Sequence, residues 1–183
     1  DGMLIAKVTG PQTAAAYVFP TDLALTEFMF RPAPTVAKGQ WLEVLNRTAA
    51  PLDMTGWSIS TLTTQTSFTL APGTTLTPGV PTIFGDSTNP AENDDAGVNV
   101  AWGTLTFARD AGAIVFGNAD ASVTLTYSGP SDGGVGSSVE VDPGPFLTTA
   151  LGSTPTFVAC QATRPFGFQV PQQLGTPGTV GSC

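Results

Sequence analysis

Histidine is missing from the 183 residues, and basic side chains are scarce: Lys plus Arg number 6 against 14 Asp plus Glu, a formal charge of −8. Without histidine there is no Ser-His-Asp triad, no Cys-His pair, no histidine zinc site and no histidine pH sensor. So few Lys and Arg cannot neutralise a run of phosphates, and nucleic acid is therefore not an expected partner. No apolar run approaches the 18 or so residues of a membrane span, so no transmembrane segment is expected. The opening Asp1-Gly2-Met3-Leu4-Ile5-Ala6-Lys7 lacks the basic flank and long apolar stretch of an export signal. Low charge and abundant Thr and Ser nevertheless suit an extracellular or cell-surface chain, with any signal peptide already removed. Cysteine is nearly absent as well. Cys160 and Cys183 bracket a Pro/Gly-rich tail, and a disulfide between them would close about two dozen residues, worth about 3 kcal/mol on the chain-entropy account. The other reading is two free thiols in a reducing compartment.

What is present suffices for a core. Hydrophobic residues make up 41% of the chain, while Gly 21 and Pro 16 together stay below the share that marks disorder. Short runs rich in Val, Ile, Thr, Phe, Tyr and Trp recur between Gly, Pro, Asn and Asp, which predicts strands punctuated by turns. The expected strands are Leu23–Phe30, Gln40–Asn46, Trp57–Leu62, Thr66–Leu70, Pro81–Phe84 and Val98–Trp102. A meander of Thr104–Phe107, Ala113–Phe116 and Ser122–Tyr127 follows, then Ser137–Val141 and Thr156–Ala159. No segment sustains a 3.6-residue apolar repeat. The prediction is an all-β, immunoglobulin-like β-sandwich of 8 to 10 short antiparallel strands, on the usual spacing of such strands and turns. Residues 21–183 form that domain, and residues 1–20 are a lead-in or an extra edge strand; a monomer is expected.

In Gln40–Asn46, Leu42 and Val44 share one face, and Trp41, Glu43 and Leu45 share the other. That places Trp41 near the surface, and with Trp102 it is a candidate for stacking on a sugar or meeting a protein partner. Trp57, opening a strand after the turn at Asp53 and Gly56, reads as a core residue. Glu27 and Glu43 raise the question of an acid–base pair for glycoside hydrolysis. Ion pairs with Arg31, Arg47 or Lys38, or hydrogen bonds to loop amides, fit them better, and no catalytic residue is assigned. The polar loop from Asp86 to Asp95 offers Asp86, Glu92, Asp94 and Asp95 as calcium ligands, although it lacks the Asp-x-Asp-x-Asp-Gly spacing of a built calcium loop. A solvated acidic loop is the plainer reading, and no other cofactor is implied. Asn46-Arg47-Thr48 is a glycosylation sequon. Gly133-Gly134-Val135-Gly136 has neither a Lys nor a following helix, so it reads as a turn.

Several of these segments, in order, resemble the lamin tail domain in the form found on bacterial secreted and surface proteins. Leu25-Thr26-Glu27-Phe28-Met29-Phe30-Arg31-Pro32 is similar to the family's Ile-Thr-Glu-Ile-Met-Tyr-Asn-Pro-like opening. Gln40-Trp41-Leu42-Glu43-Val44-Leu45-Asn46 resembles its Glu-Trp-Ile-Glu-Leu-Tyr-Asn element, and Pro51 to Ile59, through Asp53, Gly56 and Trp57, resembles the next. Phe68 to Gly79 carries Pro-Gly-Thr and Leu-x-Pro-Gly turns, and Leu174-Gly175-Thr176-Pro177-Gly178 resembles the closing Thr-Pro-Gly. The resemblance implies an immunoglobulin-like sandwich in which Glu27, Glu43, Asn46, Asp53, Gly56 and Trp57 are structural. It implies no reaction. The nuclear members' filament and DNA roles do not carry over, since the chain is acidic and has no heptads. The function expected is a non-catalytic domain for adhesion, surface anchoring or protein-partner binding. Its rivals are a carbohydrate-binding module and an accessory domain of a secreted hydrolase or nuclease.

Overall fold

The computed structural model describes residues 22–119, 122–128, 135–141, 159–162, 164–168 and 172–179. The lead-in at 1–20, residues 156–158 of the last expected strand and the cysteine at 183 lie outside these residues. In chain order the first strands are β1 (Leu23–Met29), β2 (Trp41–Asn46), β3 (Leu52–Asp53), β4 (Ser58–Thr61), β5 (Ser67–Thr69), β6 (Thr75–Leu76) and β7 (Pro81–Gly85). A single helical turn, α1 (Pro90–Asn93), precedes β8 (Val100–Ala101), β9 (Ala111–Gly117) and β10 (Ser122–Ser128). The last are β11 (Val139–Val141), β12 (Ala159–Gln161), β13 (Pro165–Phe166) and β14 (Gln173–Leu174). The chain is all-β. Its strands are shorter and more numerous than the sequence suggested, because the two-residue pairs β3–β6 and β13–β14 carry too few residues to show a pattern.

One sheet runs β12-β11-β1-β2-β7-β8 and the other β10-β9-β4-β5. Only β7–β8 pairs in parallel among the named strands. Phe28, Leu42, Val44 and Phe84 from the first sheet share a core with Ile59, Ile114, Phe116, Leu125 and Tyr127 from the second. Rings bridge the sheets: Phe84 lies 6.1 Å from Phe116, and Phe28 lies 5.5 Å from Tyr127. Trp57 joins them, 5.2 Å from Phe116, as expected of a core residue. Gly56 before it has φ +81°, a left-handed turn position that suits glycine.

One irregularity in β1 sets which side chains reach each face of the sheet. Leu25 pairs with Val44, and Glu27 pairs with Glu43, so Thr26 is an extra residue in the ladder. Side chains alternate strictly along a strand, and a bulge resets that alternation. Leu23 and Leu25 before it, and Phe28 and Phe30 after it, therefore all join the same core, while Glu27 and Met29 turn to the opposite face.

The first arm of the expected meander does not form. Residues 104–107 are not a strand, and β9 pairs with β4 and β10 instead. Leu105 and Phe107 are buried, yet side chains satisfy the local backbone. Phe107 N donates to Gln40 Oε1 at 2.8 Å, Phe107 O accepts from Gln40 Nε2 at 2.9 Å, and Thr106 N donates to Thr66 Oγ1 at 3.1 Å. A segment whose peptide groups are met this way has no need of a ladder.

Candidate functional site

The outer face of the six-stranded sheet holds a cluster of buried polar side chains. Glu27 and Glu43 are Cα partners on adjacent strands, and Glu140 on β11 occupies the register position on Glu27's other side. Like charges directly opposite each other destabilise a sheet unless donors offset them. Donors are supplied here. Glu27 accepts from Ser138 Oγ, from Thr176 N at 2.9 Å and from Thr176 Oγ1 at 2.7 Å. Glu43 accepts from Thr26 Oγ1 at 2.6 Å and from Gly178 N at 2.7 Å. Both glutamates are fully buried. The second alternative from the sequence, hydrogen bonds to loop amides, is thus realised in part by the chain's own C-terminal segment. Lys38 is turned elsewhere, pairing with Glu92 at 3.0 Å. No face of either carboxylate is open to a substrate in this arrangement.

That segment covers the sheet. Pro165–Phe166 and Gln173–Leu174 pair with each other, and Leu174 binds β11's lead-in through Leu174 N to Gly136 O (2.7 Å) and Ser138 N to Leu174 O (2.9 Å). Phe166 lies edge-on to Trp41, with ring centroids 6.3 Å apart. Met29, Trp41, Ile83, Ala96 and Val98 form a small second core beneath it. Trp41 is therefore not a surface aromatic. The sequence alternation placed it opposite Leu42 correctly, but that opposite face is roofed. Its Nε1 is the one buried side-chain donor or acceptor without a hydrogen-bond partner among the described residues. Trp102 is buried too, packed 4.9 Å from Phe107 with Nε1 donating to Asp86 Oδ1 at 2.8 Å. Neither indole presents a ring for stacking on sugar or partner.

The acidic loop is wired into the same cover. Asp86 accepts from Trp102 Nε1 and from Gln40 N (3.0 Å), and burial pushes its carboxyl above the usual range. Glu92 accepts from Ser87 Oγ at 2.6 Å, and that hydroxyl, followed by Lys38, holds its carboxyl below the usual range. Asp94, in the left-handed conformation at φ 58° that ends α1, accepts from Phe168 N at 2.5 Å and from Gln173 Nε2 at 3.4 Å. Gly167 stacks so closely on Asp94 that a methyl group there would collide with the carboxylate. Asp95 points into solvent. The four expected calcium ligands are thus not brought together: three fasten different segments. Among the described residues no three Asp, Glu, His or Cys side chains gather where they could hold a metal ion.

Two further sequence features find local roles. Asn46 is buried, its Nδ2 donating to Ala50 O and Leu76 O at 2.9 Å each, so the sequon has no room for a glycan. Asp53 closes a turn by accepting from Thr55 N (2.9 Å) and Thr55 Oγ1 (2.6 Å), and these bonds, the hydroxyl's first, lower its carboxyl's affinity for protons. Missed by the sequence reading were Ser138, Gln173 and the clamp of Asp94 on residues 167–168. The one available signal was the Thr176-Pro177-Gly178 motif, which marks a turn without saying what it docks against. Comparison with family models, curated proteins and solved structures returns no match.

Proposed function

We propose that the chain is a non-catalytic lamin-tail-type domain with an immunoglobulin-like sandwich, acting outside the cytoplasm in adhesion, surface anchoring or protein-partner binding. The observation that carries this reading is the meeting of the resemblance's first and last motifs. Glu27 of the opening string accepts from Thr176, and Glu43 of the second string accepts from Gly178. Residues that form one signature in sequence thus form one cluster in space, which supports a shared architectural role for them. The remaining signature positions fit such a role: Asn46 ties a turn, Asp53 caps another, and Trp57 fills the core. With Trp41 and Trp102 buried, the carbohydrate-binding alternative loses the aromatic platform it needed.

Fractionation of the native host, with alkylation of unreduced cysteines, tests the assignment. The protein is expected outside the cytosol with neither Cys160 nor Cys183 modified, as a disulfide between them requires. Recovery from the cytosol with two reactive thiols overturns it.

A further inference from the structure

The four-stranded sheet ends at β10, and that end is unguarded. The other edge strands are blunted by length: β5 and β12 have three residues each and β8 has two, against seven in β10. Natural edges also avoid stray pairing with a charge, a proline or a bulge. β10 reads Ser-Val-Thr-Leu-Thr-Tyr-Ser, and its register with β9 runs unbroken from Ser122 opposite Gly117 to Ser128 opposite Ala111. None of the sheet's four strands carries a charged residue. The hydrogen-bond phase tells which peptide groups are left over. Leu62 N donates to Ala113 O at 3.1 Å, and along an antiparallel strand bonding to one side recurs at alternate residues. Ala113, Val115 and Gly117 therefore bond toward β4, and Gly112, Ile114 and Phe116 bond toward β10. Their register partners Tyr127, Leu125 and Val123 bond back to them. Ser122, Thr124 and Thr126 then point N–H and C=O away from the sheet, and no described residue bonds those groups.

We propose that the β10 edge takes up an extended segment of a partner protein, added to the four-stranded sheet as one more strand. This deepens the partner-binding reading and rests on it. Main-chain bonds to Ser122, Thr124 and Thr126 supply the attachment, and alternate side chains supply the selection. The larger sheet decides what fits. Phe28 packs on Tyr127 and Phe84 packs on Phe116, so β1 lies over β10 and β7 over β9. β11 and β12, beyond β1, consequently overhang the free side of β10. A second copy offering its own β10 would bring a second overhang into the same space, and the two would collide. A lone extended strand slides beneath. Its side chains alternate between two faces. Those toward the larger sheet lie beside Leu125 and Tyr127, which are buried in the core, and are apolar. Those on the other face lie beside Ser122, Thr124 and Thr126, and carry hydroxyls or, against a chain of formal charge −8, basic groups.

Amide exchange and peptide selection test it on the full-length chain. In the free protein the Thr124 and Thr126 amides should exchange fast, while those of Val123, Leu125 and Tyr127 are protected. Protection of Thr124 and Thr126 that survives dilution would assign the edge to the chain's own residues, and protection lost on dilution would assign it to a second copy. Either result overturns the proposal. Random peptides displayed on phage are then selected on the protein. The selected peptides should share an apolar–polar alternation, slow exchange at Thr124 and Thr126 at least tenfold, and bind at least tenfold more weakly to Thr124→Pro. That substitution removes an outward N–H and leaves the ladder with β9 in place, which circular dichroism checks; should the variant not fold, the exchange readout on the unaltered chain decides. Binders that ignore the proline and leave Thr124 and Thr126 unprotected reject the edge while the partner-binding reading stands. Recovery of no binder overturns the proposal and counts against partner binding as a whole.

Discussion

Leu42 and Val44 on one face of β2 are hidden from solvent, and so are Trp41 and Glu43 on the other. The inner pair enters a core of interlocking rings and aliphatic chains contributed by both large sheets. There stability comes from apolar area removed from water and from close packing, with no directional requirement. The outer pair lies under a cover fastened by carboxylates that accept backbone amides and hydroxyls. Its strength resides in a few aimed contacts. A core of the first kind weakens by degrees as side chains shrink. The second is lost a contact at a time, and each loss strands a buried group.

The largest effect should come from the inner face. Phe116→Ala removes the ring that touches both Trp57 and Phe84, and the expected cost is about 3–5 kcal/mol in urea unfolding. Amide protection in β1, β9 and the C-terminal segment should fall together. Glu27→Gln should cost about 2 kcal/mol, the scale of a charge-assisted hydrogen bond. In hydrogen exchange the Thr176 and Gly178 amides should lose protection well before those of β9. Uniform loss of protection in this variant would break the distinction between the two faces, because the cover would then be one cooperative unit with the core.

The smallest effect sharpens the comparison from within the core. Tyr127 sits 4.6 Å from the Phe30 ring, with its hydroxyl donating to Ala108 O at 2.8 Å. Burial pushes its phenol from 10.0 to about 12. A group whose folded value is raised contributes stability fully below its unfolded value and loses it as pH rises toward the folded one. Stability should therefore decline between pH 10 and about 12. Tyr127→Phe should cost about 1 kcal/mol at neutral pH and flatten that alkaline decline, read by thermal melts across the range. An undiminished decline in the variant would place the responsible group elsewhere.

Most of the strands were legible because β-branched and aromatic residues cluster where a pleated, half-buried surface needs them. Leu23–Met29, Trp41–Asn46 and Ala111–Gly117 all lie where composition places them. Residues 104–107 have the same composition, but Gln40 and Thr66 satisfy their backbone from a distance, and no local pattern reports that. Trp41 shows the same limit. Alternation gives its face, whereas its burial depends on Phe166, far along the chain. The acidic loop looked like a set of ligands because its carboxylates are adjacent in sequence; their partners, among them Phe168 and Gln173, are not.

Thr26 has a consequence for the chain's tolerance of change. One residue inserted into an alternating strand acts as a half-period phase shift, so everything downstream is read with the opposite parity. Deleting Thr26 would alter no hydrophobic count and remove no charge. It would leave an unbroken ladder in which Glu27 still faces Glu43 and Phe28 still enters the core, at the loss of the Thr26 hydroxyl's bond to Glu43. Thr26 is thus a position whose loss the alternation itself absorbs, whereas a residue removed at Phe28 or Met29 reverses the faces of those that follow.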